Sequence, residues 1–314
     1  MKLIIQIPCY NEAETLEVAL NDLPKQINGI DEIEYLIIND GSKDNTVEVA
    51  KNWGVHYVVN FKCNKGLAKG FMAGLDACLR QGADIIVNTD ADNQYCGADI
   101  EKLVRPILDG KADIVIGERP IDDTEHFSPL KKKLQHIGSW TVRVASKTDV
   151  PDAPSGFRAY SRQAALKMNV VNEYTYTLET IVQAGRNKMA ITSVPIRTNP
   201  ELRKSRLFNS MFGYIKKSML TIIRAFMMYK PLRFFTIIGS SIFLIGLIFR
   251  NPLSGICFYG RERRAYPVVN FSQHIIAFRL PDLYFRAAGR SDCFQPKTFR
   301  GYSGKSTEIR LRPR

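Results

Sequence analysis

The chain has 314 residues, 45% hydrophobic and 24% charged, with a formal net charge of +13. That balance supplies a full-sized core, and because about +8 of the charge lies after Arg250, the total does not mark a nucleic-acid-binding surface on the rest of the chain; no nucleic-acid partner is expected. Cys9, Cys63, Cys78, Cys96, Cys257 and Cys293 form no CxxC pair, which excludes a disulfide framework and suits reduced thiols in a cytosolic compartment; the apolar start, broken at Pro8, is too short for a secretory leader.

Up to about residue 120, strand and helix signals alternate. The apolar run Leu3–Ile7 reads as a first strand. Asn11-Glu12-Ala13-Glu14 has the form of a capping box, opening a helix through Leu16, Leu20 and Leu23 that stops near Pro24. Tyr35–Ile38 is a second strand, Thr46–Trp53 a helix closed by Gly54, and His56–Val59 a third strand. Gly66–Gln81 is a helix closed by Gly82, Ile85–Val87 a fourth strand, Ile100–Leu108 a helix closed by Gly110, and Ile114–Ile116 a fifth strand. Continuous apolar strands between helices predict a parallel sheet covered on both faces.

Residues 120–165 predict a long loop with a helix around Leu134–Ser146, and Ala190–Ile196 another strand. Residues 1–204 thus form one α/β domain. From Ser205 to Lys230 the apolar residues Phe208, Met211, Phe212, Ile215, Met219, Ile222, Ile223 and Phe226 fall at helical spacing, interrupted by Lys216, Lys217 and Arg224. Such a helix suits a membrane interface or a domain core. Leu232–Phe249 is nearly all apolar with basic flanks, so residues 231–250 predict a short transmembrane helix. Residues 251–314 show no sustained period; they read as an irregular basic tail, either disordered or out of reading frame.

The sharpest chemical signal is Asn88-Thr89-Asp90-Ala91-Asp92-Asn93-Gln94, directly after the fourth strand. Ligands of α/β sheets bind beyond the carboxyl ends of strands, and two carboxylates one residue apart can share a hard cation with diphosphate oxygens. Asp40, in Ile37-Ile38-Asn39-Asp40-Gly41-Ser42, ends the second strand and can hold a base or ribose, or simply leave the strand in a turn. Pro8-Cys9-Tyr10-Asn11-Glu12 ends the first strand, and Asn64-Lys65-Gly66-Leu67-Ala68-Lys69-Gly70 opens a helix whose N-terminus favours an anion. The last is neither a Walker loop nor a GxGxxG fingerprint.

Taken together, these motifs in this order resemble the family 2 glycosyltransferases with their A-type nucleotide-sugar fold, over residues 1–250. Asp152-Ala153-Pro154-Ser155-Gly156-Phe157-Arg158 is similar to the DxxSGFR stretch of the polyprenyl-phosphate branch, which includes the dolichol-phosphate mannosyltransferases. Asn39 departs from the family pattern, in which many members carry an Asp. The resemblance implies an inverting hexosyltransferase with Mg²⁺ or Mn²⁺ held at Asp90, Asp92 and Gln94. It implies a nucleotide diphosphate sugar held by Pro8, Tyr10, Glu12, Asp40, Lys65, Asp90 and Arg119. It also implies a polyprenyl phosphate acceptor met by Arg158, Arg203 and Arg206, at the cytoplasmic face of a membrane. A lipid phosphate is anionic and hardly needs a base; a hydroxyl acceptor needs one, and Asp152, then Glu179, are the candidates. The competing expectations are a soluble sugar nucleotidyltransferase and a non-catalytic, membrane-associated nucleotide-sugar-binding protein.

Overall fold

The computed structural model describes residues 1–120, 148–170, 176–200, 231–258 and 307–310, with residues 139, 140, 142, 143, 146, 223 and 227 between them. In chain order the elements are β1 (Lys2–Cys9), α1 (Leu16–Asn21), β2 (Glu32–Asn39), α2 (Thr46–Trp53), β3 (Tyr57–Asn60), α3 (Leu67–Arg80) and β4 (Ile85–Asn88). A 3₁₀ turn (Gly97–Asp99) leads into α4 (Ile100–Leu108), followed by β5 (Ile114–Glu118), β6 (Arg158–Ser161), α5 (Arg162–Lys167), α6 (Thr177–Arg186) and β7 (Ile191–Pro195). Beyond these lie α7 (Pro231–Phe258) and β8 (Thr307–Arg310). The chain divides into a larger unit, Met1–Ala225 with Gly304–Arg314, and a smaller one, Phe226–Ser303.

The strands form one sheet in the order β7-β5-β6-β4-β1-β2-β3-β8. Side chains alternate across each strand, and both sides are covered. On one face Leu3, Ile5 and Ile7 of β1 join Tyr35, Ile37, Ile85 and Val87 under Leu16, Leu20, Ala50, Leu103 and Val104 of the helices. On the other, Ile4, Leu36, Ile38, Ile86, Ile114 and Ile116 pack against Ala68, Phe71, Leu75 and Cys78 of α3, with Ala164, Ala165, Ile181 and Ala184 beyond. This is why the strands read as continuous apolar runs.

Three expectations need correction. The sheet is mixed: β6 pairs antiparallel with both β4 and β5, and β8 antiparallel with β3. The Asn11 capping box is absent; α1 begins at Leu16 after Thr15, and Asn11 takes a left-handed φ of 56°. Asn11 instead ties two loops together, donating N–H to Ser42 Oγ (2.9 Å) and accepting from Lys43 N–H at Oδ1 (2.8 Å). The tail after residue 250 is not irregular throughout, since α7 runs on to Phe258 and residues 307–310 add an edge strand.

The described part of 134–146 is helical. Of the expected amphipathic helix 205–230 only residues 223 and 227 are described, both helical. Arg203 and Arg206 lie outside the described residues. α7 presents Leu232, Ile237, Phe243, Leu244 and Leu247 to the outside. Among the described residues no helix is long and apolar enough to cross a membrane.

Because β6 is antiparallel to both β4 and β5, those two strands run the same way, as do β1, β2 and β3. With β7 parallel to β5 and β8 antiparallel to β3, the carboxyl ends of six strands and the starts of β6 and β8 share one edge of the sheet.

Candidate active site

The β2 and β3 exits are locked to each other. Asp40 accepts the backbone N–H of Lys65 at Oδ1 (2.6 Å) and of Gly66 at Oδ2 (3.0 Å). Burial raises its carboxyl above the usual range, and the two amides pull the other way. Gly41 has φ +74°, and a Cβ there would lie 2.6 Å from the Cys63 carbonyl carbon. Only glycine permits that conformation and that approach. Asp40 thus shapes the turn that opens α3, and the Lys65 ammonium sits 4.6 Å from the centre of the Phe61 ring.

At the β1 exit, Pro8 lies in register with Ile38, and Tyr10 is 41% exposed. Glu12 donates its N–H to Thr46 Oγ1 (2.9 Å), while its Oε2 accepts from Thr15 Oγ1 (3.0 Å). The loop from Pro8 to Glu12 therefore packs on the loop from Ser42 to Thr46.

At the β4 exit stand the paired acids. Asp92 Oδ1 accepts the N–H of Gln94 (3.2 Å), and Asn93 between them has φ +57°. The Gln94 carbonyl accepts the N–H of Asn199 (2.9 Å), which anchors the loop to the chain beyond β7. Burial pushes the Asp90 carboxyl up to about 7, with Asp92 adding, Arg119 opposing and Glu12 adding again. The fold thus brings Glu12, Asp92 and Arg119, from three strand exits, within electrostatic reach of Asp90.

Two of the expected site residues are engaged within the fold. Arg119 donates from Nε to Asp152 Oδ2 (2.7 Å) and from a terminal nitrogen to Oδ1 (3.0 Å), and Asp152 is fully buried. Asp152 is the buried ion-pair partner of Arg119. Arg158 is also fully buried. Its guanidinium donates to the carbonyls of Ser155 (2.7 Å), Ala153 (2.6 Å) and Thr177 (2.8 Å) and to Thr180 Oγ1 (2.8 Å). It pins the 153–156 loop to the start of α6. Glu179 lies in the first turn of α6, buried, and accepts from Gln183 Nε2 (3.3 Å).

Further residues, with no role apparent from sequence, pack against this edge. Gly156 N–H donates to the Tyr95 hydroxyl (3.2 Å), and the Gly156 carbonyl accepts from Asn88 Nδ2 (3.0 Å). Tyr95 stacks on Phe157 at 4.9 Å between ring centres. A polar residue closing an apolar strand, and an aromatic just past the acids, are the signals that mark them.

A divalent cation fits the donor set at this edge: two neighbouring carboxylates in a loop fixed from outside. Among the described residues no group of three or more His, Cys, Asp or Glu could hold an ion alone. Mg²⁺ or Mn²⁺ at Asp90 and Asp92 would complete its shell with phosphate oxygens and water.

The acidic pair lies at the carboxyl edge of a mixed α/β sheet, the edge at which α/β folds bind their ligands. The chain belongs to glycosyl transferase family 2, whose family model matches residues 4–168. It is 32% identical over 234 residues to the UDP-N-acetylglucosamine–dolichyl-phosphate N-acetylglucosaminyltransferase of Methanococcus voltae, covering 66% of this chain and 90% of that one. It is 26% identical to the undecaprenyl-phosphate mannosyltransferase of Micrococcus luteus, covering 68% and 90%. In fold it is similar to the glucosyl-3-phosphoglycerate synthase of Mycobacterium tuberculosis crystallised with UDP, with a TM-score of 0.57 at 18% identity over 72% of this chain and 79% of that one.

Proposed function

We propose that the protein transfers a sugar from a nucleotide diphosphate sugar to a polyprenyl phosphate at a membrane surface, inverting the anomeric centre. The observation that carries the reading is that Glu12, Asp90, Asp92 and Arg119 follow the carboxyl ends of β1, β4 and β5 at one sheet edge, in a family whose relatives include lipid-phosphate glycosyltransferases. A bound Mg²⁺ or Mn²⁺ would offset the negative charge of the leaving nucleoside diphosphate. Asp90 and Asp92 hold that cation, Asp40 shapes the turn beside the nucleoside, and Arg119, itself fixed by Asp152, places positive charge beside Asp90. The acceptor phosphate arrives as an anion, so the step rests on placement rather than on proton removal. That agrees with Asp152 being committed to Arg119. We assign the exposed apolar residues of α7 to the membrane, with the catalytic unit on the cytoplasmic side.

The test is a panel of UDP- and GDP-sugars incubated with purified protein, Mn²⁺ and a short polyprenyl phosphate, with lipid products read by mass spectrometry. A glycosyl phosphopolyprenol from one donor is expected. Sugar transfer only to a water-soluble hydroxyl acceptor, or nucleotide-sugar synthesis from a nucleoside triphosphate, would overturn the reading.

A further inference from the structure

Gly156 is held at both ends of its peptide units by residues that flank the acidic pair. Its N–H goes to Tyr95, after the pair; its carbonyl goes to Asn88, before it. The Tyr176 hydroxyl completes the arrangement, accepting from Asn88 Nδ2 (2.8 Å) and donating to the Gly156 carbonyl (3.3 Å). Asn88 Oδ1 accepts from Gln6 Nε2 (3.0 Å) in β1, so both ends of the Asn88 amide are used. Gln6, Asn88, Gly156, Tyr95 and Tyr176 are all buried. The Tyr176 ring is fixed in turn by stacking on Phe71, with centres 3.9 Å apart and planes 5° from parallel.

The glycine so held lies against the Asp90 carboxylate. A Cβ at residue 156 would fall 3.3 and 3.5 Å from the two Asp90 oxygens and 3.1 Å from the Tyr176 hydroxyl. Asp90 therefore rests on a bare backbone surface whose position is set by hydrogen bonds to residues two before it and five after it. A buried polar network with every member satisfied fixes one arrangement, and a metal ligand gains affinity when its surroundings hold it in place.

We propose that Asn88, Tyr95 and Tyr176 are positioning residues for the cation site, and that they act by holding Gly156 as the floor beneath Asp90. This rests on the reading of Asp90 and Asp92 as the pair that binds a divalent cation with a nucleoside diphosphate. The network keeps the Asp90 carboxylate in one place against repulsion from Asp92 before the cation arrives, so less ordering remains to be done on binding.

The experiment measures Mn²⁺ binding directly, by the loss of the free-ion electron paramagnetic resonance signal, in the presence of UDP and in parallel of GDP. Tyr176→Phe and Tyr95→Phe each delete one hydroxyl and keep the ring and its stack. Each is expected to weaken Mn²⁺ binding about 10-fold, the low end of the roughly 10–100-fold losses seen for residues that orient metal ligands. Thermal melts in EDTA accompany every variant. Ile114→Val, a methyl deletion in the buried core, provides a destabilised control expected to leave Mn²⁺ affinity within twofold of wild type. If both hydroxyl deletions bind Mn²⁺ within twofold of wild type while Asp90→Asn does not bind it, the cation site stands and the positioning role is wrong. If the affinity losses of the two variants are reproduced by Ile114→Val at an equal drop in melting temperature, the positioning role is again wrong. If wild type binds no Mn²⁺ with either nucleotide, the cation reading itself fails.

Discussion

Replacing Arg158 by Met separates a structural arginine from a phosphate-binding one. The guanidinium is fully buried and meets four acceptors: the carbonyls of Ala153, Ser155 and Thr177 and the hydroxyl of Thr180. Methionine fills much of the stem volume but supplies no donor. Each buried acceptor left unsatisfied costs about 1–3 kcal/mol. Some relaxation of the loop and water entry will recover part of this, so the expected loss is about 3–5 kcal/mol, at the upper end for a single substitution. The assay is urea unfolding followed by far-ultraviolet circular dichroism, compared at fixed denaturant slope. Arg158→Lys should fall between, because one ammonium cannot span carbonyls on the loop and on α6 at once. An unchanged urea midpoint in Arg158→Met, together with a raised KM for the phosphate-bearing acceptor, would refute the buried-pin assignment and restore the substrate role expected from sequence.

Asp152→Asn should destabilise the fold by about 3–5 kcal/mol, since it leaves the Arg119 cation without its buried partner; a fall in kcat with an unchanged melting temperature would instead point to a base. His56 accepts the Tyr35 N–H at Nδ1 (3.2 Å), and burial lowers its pKa. Its folded-state pKa lies below the unfolded one, so the unfolded chain binds the extra proton first. Its contribution to stability is full above about pH 6.5 and declines as the pH falls below that. The melting temperature of wild type relative to His56→Gln should therefore drop between pH 7 and pH 5, and a flat difference would contradict the assignment.

Much of the fold was legible because its strands are buried on both faces. Leu3–Ile7, Tyr35–Ile38 and Ile114–Ile116 carry no polar break long enough to disguise them, and Gly54 closes α2 in a left-handed conformation, as its position suggests. β6 escaped notice because its four residues, Arg-Ala-Tyr-Ser, begin with a charge, and a charged residue at a strand start reads as a loop. The same bias bears on two expected site residues. Arg158 reads as a phosphate contact and Asp152 as a base because charged side chains are rarely fully buried; sequence does not reveal that each has partners waiting in the core. Asn11 was read as a helix cap on its spacing to an acid, whereas its side chain is spent on the neighbouring loop. The acidic pair needed only its place after a strand, and that place was visible. What holds the pair, from Gln6 through Asn88 to Gly156, joins residues up to 150 positions apart, as the numbering itself shows, and no local pattern encodes it.

The most direct measurement of the central claim is sugar–lipid formation by wild type and Asp92→Asn, each assayed with Mn²⁺ and with EDTA. The account predicts product only in the wild type with the cation, with a loss of at least about 100-fold in the other three conditions, the scale expected when charge stabilisation of a transition state is removed. Product that forms at wild-type rates in EDTA, or in Asp92→Asn with Mn²⁺, would contradict it.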